Sequence, residues 1–145
     1  MLLIVDVNVI FSALYSKDAA YDVFAINRSR RIFEWVAPEY MFLELRKNTD
    51  KLLQASKLSR DEIENVLSFI EEELWIIPGD EFGEFVPKAA ELLSEHKKDT
   101  PYLALALKLN CPFFSGDKKF KKLSPVRVYN PRELLDILLG RATPL

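Results

Sequence analysis

Five short apolar runs alternating with helical sequence constrain what this chain can fold into: Leu2 to Asp6, Ile32 to Ala37, Leu74 to Ile77, Pro112 to Ser115 and Val126 to Tyr129. Each is too short for a helix and apolar at nearly every position. Strands that are apolar on both sides must be covered on both sides, which calls for a parallel sheet with helices on each face. The expectation is an α/β fold, a three-layer α/β/α sandwich around a central parallel sheet of about five strands. The 145 residues contain no internal repeat, low-complexity stretch or linker, so residues 1–145 read as a single domain.

The intervals between these runs carry helical signals. Asn8 to Asn27 reads as one or two helices broken near Ser16-Lys17-Asp18, and Pro38 is placed to open the next helix at its first turn. Three helical pieces are expected before the third strand. The clearest is Asp61 to Glu73, with Ile63, Val66, Leu67, Ile70 and Leu74 at helical spacing and a Ser59/Glu62 capping box. Pro78-Gly79 stops the third strand, and Phe82 to Glu95 reads as a helix. Thr100 to Leu109 contains Leu-Ala-Leu-Ala-Leu, which resembles strand alternation. Leu and Ala are both apolar and strong helix formers, so this segment reads as a buried helix. Pro131 to Leu139 closes the chain as a helix.

Four carboxylates are placed where such a fold puts its chemistry. In open parallel sheets, sites form outside the carboxyl ends of the strands. Asp6 ends the first run, and Asp117 lies two residues beyond the fourth. Asp99 opens the helix that ends at Leu109, and only Asn110 and Cys111 join that helix to the fourth strand. The helix must run antiparallel to the strand for about 16 Å, which returns Asp99 to the same edge. Glu44 lies about two turns along the helix after the second strand, so that helix has to lean over the edge for Glu44 to join the others.

Each placement has an ordinary explanation. Asp99, Asp117 and Asp6 are all suited to cap helices, and Glu44 to face solvent. Three acids at one sheet edge, however, repel one another unless a cation sits between them. A hard cation such as Mg²⁺ takes oxygen ligands and keeps several waters. The pattern points to metal-assisted phosphodiester hydrolysis, with Asp6 a direct ligand, Asp99 and Asp117 binding directly or through water, and Glu44 completing the shell or positioning water.

Composition narrows the alternatives. A lone cysteine, Cys111, excludes an internal disulfide and any multi-cysteine zinc cluster. A lone histidine, His96, excludes a paired-histidine mechanism within one chain and reads as an exposed helix-end residue. No apolar run approaches the roughly 20 residues that span a bilayer. The acidic turn at Asp6 and the lack of a basic start argue against a signal peptide, so the chain is expected to be cytoplasmic. The net charge of −2 gives no global attraction to nucleic acid, but Lys118, Lys119, Lys121 and Lys122 adjoin Asp117 and are candidates for phosphate binding.

Leu3-Ile4-Val5-Asp6-Val7-Asn8, Glu44 in Phe42-Leu43-Glu44-Leu45, Asp99 before Thr100-Pro101-Tyr102-Leu103-Ala104, and Ser115-Gly116-Asp117-Lys118-Lys119-Phe120 together resemble the PIN-domain nucleases, in order and spacing, from Leu2 to Leu138. Val128 to Leu135 is similar to that family's last strand and helix. The resemblance implies Mg²⁺ or Mn²⁺ dependence and cleavage of single-stranded or structured RNA. It makes Asp6, Glu44, Asp99 and Asp117 the metal-binding acids, with Asn8 and Ser115 as polar supports. Many small members are toxins of toxin–antitoxin pairs and form dimers, which implies an antitoxin partner and a homodimer. One departure is Lys119, where many members carry another acid. It puts a fully occupied second metal site in doubt.

Two other readings remain. A haloacid-dehalogenase-type phosphohydrolase also starts with an apolar strand ending in Asp, but Asn8 replaces its usual second Asp. A non-catalytic RNA- or protein-binding domain would need none of the four acids. For self-association, Met41, Phe42, Leu45, Leu52, Leu53 and Leu58 between the second and third strands exceed what a small sheet readily covers, and they suggest an interface within residues 38–73.

Overall fold

The computed structural model describes residues 1–16, 18–94 and 97–144. Five strands form one sheet, all parallel, in the order β3-β2-β1-β4-β5. They are β1 (Leu2–Val5), β2 (Glu34–Pro38), β3 (Leu74–Ile77), β4 (Phe113–Phe114) and β5 (Val128–Tyr129). The α-helices are α1 (Val7–Ser16), α2 (Ala19–Arg30), α3 (Tyr40–Ala55), α4 (Arg60–Glu73), α5 (Val86–Leu92), α6 (Thr100–Leu109), α7 (Lys118–Leu123) and α8 (Pro131–Leu138). On one side α1 packs against α2, α3 and α4, and α2 against α8. On the other, α5 packs on α6, which lies over β1 and β2. The expected three-layer sandwich is present.

The central strands are buried for the reason their sequence suggested. Leu3, Ile4 and Val5 are fully enclosed, and Trp35 of β2 packs against Phe24 of α2 and Phe114 of β4 with ring centroids 5.1 and 5.4 Å away. Asn27, 2% exposed, ties α2 to β2: it donates to the Phe33 carbonyl and accepts from the Phe33 N–H, both at 2.9 Å. Burial pushes the Cys111 thiol up to about 11, in keeping with a packing role. No helix among the described residues is long and apolar enough to cross a membrane.

The differences from the sequence expectations have local causes. Pro38 ends β2 instead of opening α3, which starts at Tyr40. The β1 pairing stops at Val36, so the N–H that Pro38 lacks is not required there. Two helices, not three, fill residues 40–73, because no Gly or Pro interrupts Tyr40–Ala55. The helix expected over Phe82–Glu95 is shorter: a 3₁₀ turn at Gly79–Glu81 precedes the span, and a second at Gly83–Phe85 takes the place of its first turn. Pro87 sits in the first turn of the α-helix Val86–Leu92, where its missing N–H is tolerated and the helix cannot extend further back. Glu95 and His96 lie outside the described residues. Trp75, which a fully covered Leu74–Ile77 run would place in the core, is 68% exposed on the edge strand β3. The capping box of Ser59 and Glu62 forms as expected.

Candidate metal centre

The chain passes from β1 outward to β2 and β3, then returns to the other side of β1 as β4 and β5. The order therefore reverses between β1 and β4, and the crevice outside their carboxyl ends is where such sheets hold ligands. Asp6 follows β1 directly, and Ser115 follows β4. Ser115, 1% exposed, donates to Asp6 Oδ2 at 2.8 Å and accepts the Asp117 N–H at 3.1 Å, which couples the two strand ends. The Asn8 N–H reaches Asp6 Oδ1 at 3.3 Å. Asp6 is thus held on both oxygens while only 7% exposed.

Asp117 caps α7: its Oδ1 accepts from the Lys119 and Phe120 N–H groups at 2.9 and 3.1 Å. Asp99 does not behave as an ordinary cap. It precedes α6 but makes no capping hydrogen bond with its side chain. Thr100, beside it, carries a buried hydroxyl without a partner. Glu44 reaches the group from α3 and accepts a 2.6 Å hydrogen bond from the Tyr102 hydroxyl.

Electrostatics show that the four acids share one neighbourhood. Burial raises the Asp6 pKa, hydrogen bonds from Ser115 and Asn8 oppose the rise, and Asp117 adds to it. Burial also raises Glu44, against the Tyr102 hydrogen bond, and the Asp6 charge adds to the rise, whereas Lys98 and Lys47 pull it down. Asp99 is pushed up to about 6, first by burial and then by the charge of Asp6, with Asp117 and Glu44 contributing further and Lys98 opposing. Tyr102 is raised too, through burial and its bond to Glu44.

Among the described residues, no three His, Cys, Asp or Glu side chains are gathered closely enough to hold a metal ion outright. The donor chemistry nevertheless fits a hard divalent cation. Asp6, Glu44 and Asp99 are raised first by burial and then by the charge of acids in the same group, and Mg²⁺ needs only one or two direct carboxylates beside its waters.

The family model for the PIN domain matches residues 4–128. The chain belongs to the PIN domain family. No curated protein sequence matches it. Among solved structures, it is similar to a chain of VapBC2 from Rickettsia felis bound to a DNA fragment from their promoter. The TM-score is 0.68 at 16% identity, over 90% of this chain and 98% of that one. At that identity the likeness speaks for the fold.

In this PIN domain the lysine run is not uniform. Lys118, Lys119 and Lys122 are exposed, whereas Lys121 pairs with Glu133. Burial alone would raise the Glu133 carboxyl, but its bonds to Lys121 and the Asn130 N–H outweigh that and lower it. Phe120 is core, edge-on to Phe113 at 4.7 Å. Sequence reasoning passed over Tyr102. The available signal was its position three residues after Asp99, which puts both on one face of α6 at the sheet edge. Lys98, the residue before Asp99, is a second group that the sequence does not single out: its charge acts on both Glu44 and Asp99.

Proposed function

We propose that this PIN domain is a metal-dependent endoribonuclease, and that Asp6, Glu44, Asp99 and Asp117 hold Mg²⁺ or Mn²⁺. The observation that carries the reading is the convergence of four mutually repelling acids on the crevice between β1 and β4. PIN domains are generally nucleases that use divalent ions, which supports the same assignment. Asp6, fixed by Ser115 and Asn8, is the direct ligand. Asp99 and Asp117 bind directly or through water, and Glu44 completes the shell. A cation held there would lower the pKa of a bound water and offset charge on the phosphate. Ser115 and Asn8 keep the Asp6 oxygens in place, so little reorganisation is needed as charge develops. Incubation with RNA and DNA substrates under Mn²⁺, Mg²⁺ or EDTA tests the proposal. Cleavage of RNA that EDTA abolishes is expected, and equal cleavage in EDTA would remove the metal from the reaction.

The exposed lysines beside Asp117 are assigned to substrate phosphates. Replacing Lys118 and Lys119 with Ala should reduce the slope of log affinity against log salt by about 0.7 per lost contact for a single strand. Lys121→Ala should change it little, because Lys121 is already engaged by Glu133. Anisotropy of a labelled RNA over a salt series reads this directly. An unchanged slope for the double variant would make the run a solvated face.

A toxin role with an antitoxin partner, in the cytoplasm, belongs to the same reading; it rests on the resemblance to small PIN-domain proteins, and the fold shared with a chain of VapBC2 is compatible with it. A homodimer is part of the same reading, on a narrower footing than composition suggested. Met41, Leu45 and Leu52 are buried within the protomer, and Phe42, Leu53 and Leu58 pack partly against its core. What remains open is a groove of about 760 Å³ whose lining includes Phe42, Leu43, Phe82 and Val86. Leu43 is 55% exposed. Sedimentation equilibrium should give twice the 16.8 kDa chain mass, and Leu43→Asp should raise the dissociation constant at least about tenfold. A monomer at all micromolar concentrations would dispose of the dimer.

A further inference from the structure

Glu44 is the one member of the acidic group that its own backbone does not deliver to the sheet edge. It sits in the second turn of α3, on a side chain with three rotatable bonds, and Lys47 and Lys98 are both close enough to act on its charge. Left to itself, such a side chain samples several rotamers, and ordering it costs entropy at the moment of binding. Here its Oε1 accepts a 2.6 Å bond from the hydroxyl of Tyr102. The Tyr102 ring is 2% exposed within α6, one turn from Asp99, and α6 itself lies on β1 and β2. The hydroxyl is therefore anchored to the same rigid element that delivers Asp99.

We propose that Tyr102 is a positioning residue of the metal site: its hydroxyl fixes the Glu44 carboxylate in register with Asp99 and leaves the second carboxylate oxygen free for the cation or its water. This inference rests on the assignment of Glu44 to the metal site. A hydroxyl that only satisfied a buried polar end would stabilise the fold and leave metal affinity alone. Groups that orient metal ligands typically change metal affinity or activity 10–100-fold when removed.

The test compares Mn²⁺ affinity, followed by electron paramagnetic resonance of free Mn²⁺, with single-turnover RNA cleavage in four proteins: wild type, Tyr102→Phe, Glu44→Gln and the double variant. Tyr102→Phe is expected to weaken Mn²⁺ binding about tenfold and to slow cleavage at fixed Mn²⁺ by a similar factor, with RNA affinity unchanged. In the Glu44→Gln background the same change should cost less than about twofold, because the group being positioned has already lost its charge. Tyr102→Phe within twofold of wild type, or equal losses in both backgrounds, would overturn the inference while leaving the nuclease assignment intact. Failure of the wild type to bind Mn²⁺ or to cut RNA would overturn both. If Tyr102→Phe does not fold, ring-labelled wild type supplies the measurement. The Tyr102 Cζ resonance, assigned by replacing the other four of the five tyrosines with Phe, should broaden on adding Mn²⁺, and a sharp Tyr102 signal at saturation would refute the inference.

Discussion

Asp6→Asn is expected to abolish cleavage and leave a folded protein that melts no lower than wild type without metal. The loss follows from charge. A cation contributes several kcal/mol to stabilising the transition state, and losing a direct anionic ligand forfeits much of it. About 4 kcal/mol corresponds to roughly 10³-fold in rate. Survival of the fold follows from the hydrogen bonds. The Ser115 hydroxyl now donates to Oδ2, and by rotating it can accept from the amide of Asn instead, leaving Oδ1 to keep the Asn8 N–H. The substitution removes a buried charge that Asp117 repels. Circular dichroism and a thermal melt establish folding, and single-turnover cleavage establishes the loss. A clean, folded Asp6→Asn protein that cuts at the wild-type rate would end the assignment of Asp6.

Much of the architecture was legible because burial dictates sequence so directly in a parallel sheet. Leu3-Ile4-Val5 has no polar side, and the structure gives it none. The Ala/Leu content of Thr100–Leu109 similarly marked a helix enclosed over most of its length. The errors fall where a residue's local preference was overruled by its neighbours. Pro38 suits the start of a helix, but it also suits a strand position whose pairing partner has ended, and only the register of β1 against β2 distinguishes these. Trp75 looks like core in isolation. Its exposure follows from β3 being an edge strand, which depends on strand order and cannot be read from Leu-Trp-Ile-Ile itself.

The site shows the same division. Asp6 and Asp117 could be placed from the strand runs alone, since each lies within two or three residues of a strand end. Asp99 required one further step, the antiparallel return of α6. Glu44 could not be placed that way, because its position depends on a side-chain hydrogen bond from another helix. The lysine run was visible as charge, but the engagement of Lys121 by Glu133 depends on how α7 meets α8, an approach of which sequence gives no sign.

The second large effect is expected in the coupling of stability to pH and metal. Asp99 is raised from 3.8 to about 6 in the folded chain, and Asp6 and Glu44 are raised as well. The native state therefore binds protons more tightly than the unfolded state. The contribution of these groups is fully present below about pH 4 and is lost as pH rises through about 6. A rise of about two units is worth at most about 3 kcal/mol. For a partly solvated group on the order of 1–2 kcal/mol remains. In a chain of this size that is roughly 3–6 °C in Tm. Metal-free protein should thus lose several degrees between pH 4.5 and 7.5, set against the opposite trend of Glu133, whose lowered carboxyl favours the higher pH. Mn²⁺ binds the deprotonated acids, so the gap between the Tm with and without it should widen with pH. It should reach about 2.7 kcal/mol of stabilisation at a hundredfold excess over the dissociation constant. Cleavage at a fixed, subsaturating Mn²⁺ concentration should climb through the same interval near pH 6, and in Asp99→Asn that part of the climb should disappear. Parallel Tm curves with and without Mn²⁺ across the whole range would show that the carboxylates titrate without reference to a cation, and the metal assignment would fall with them.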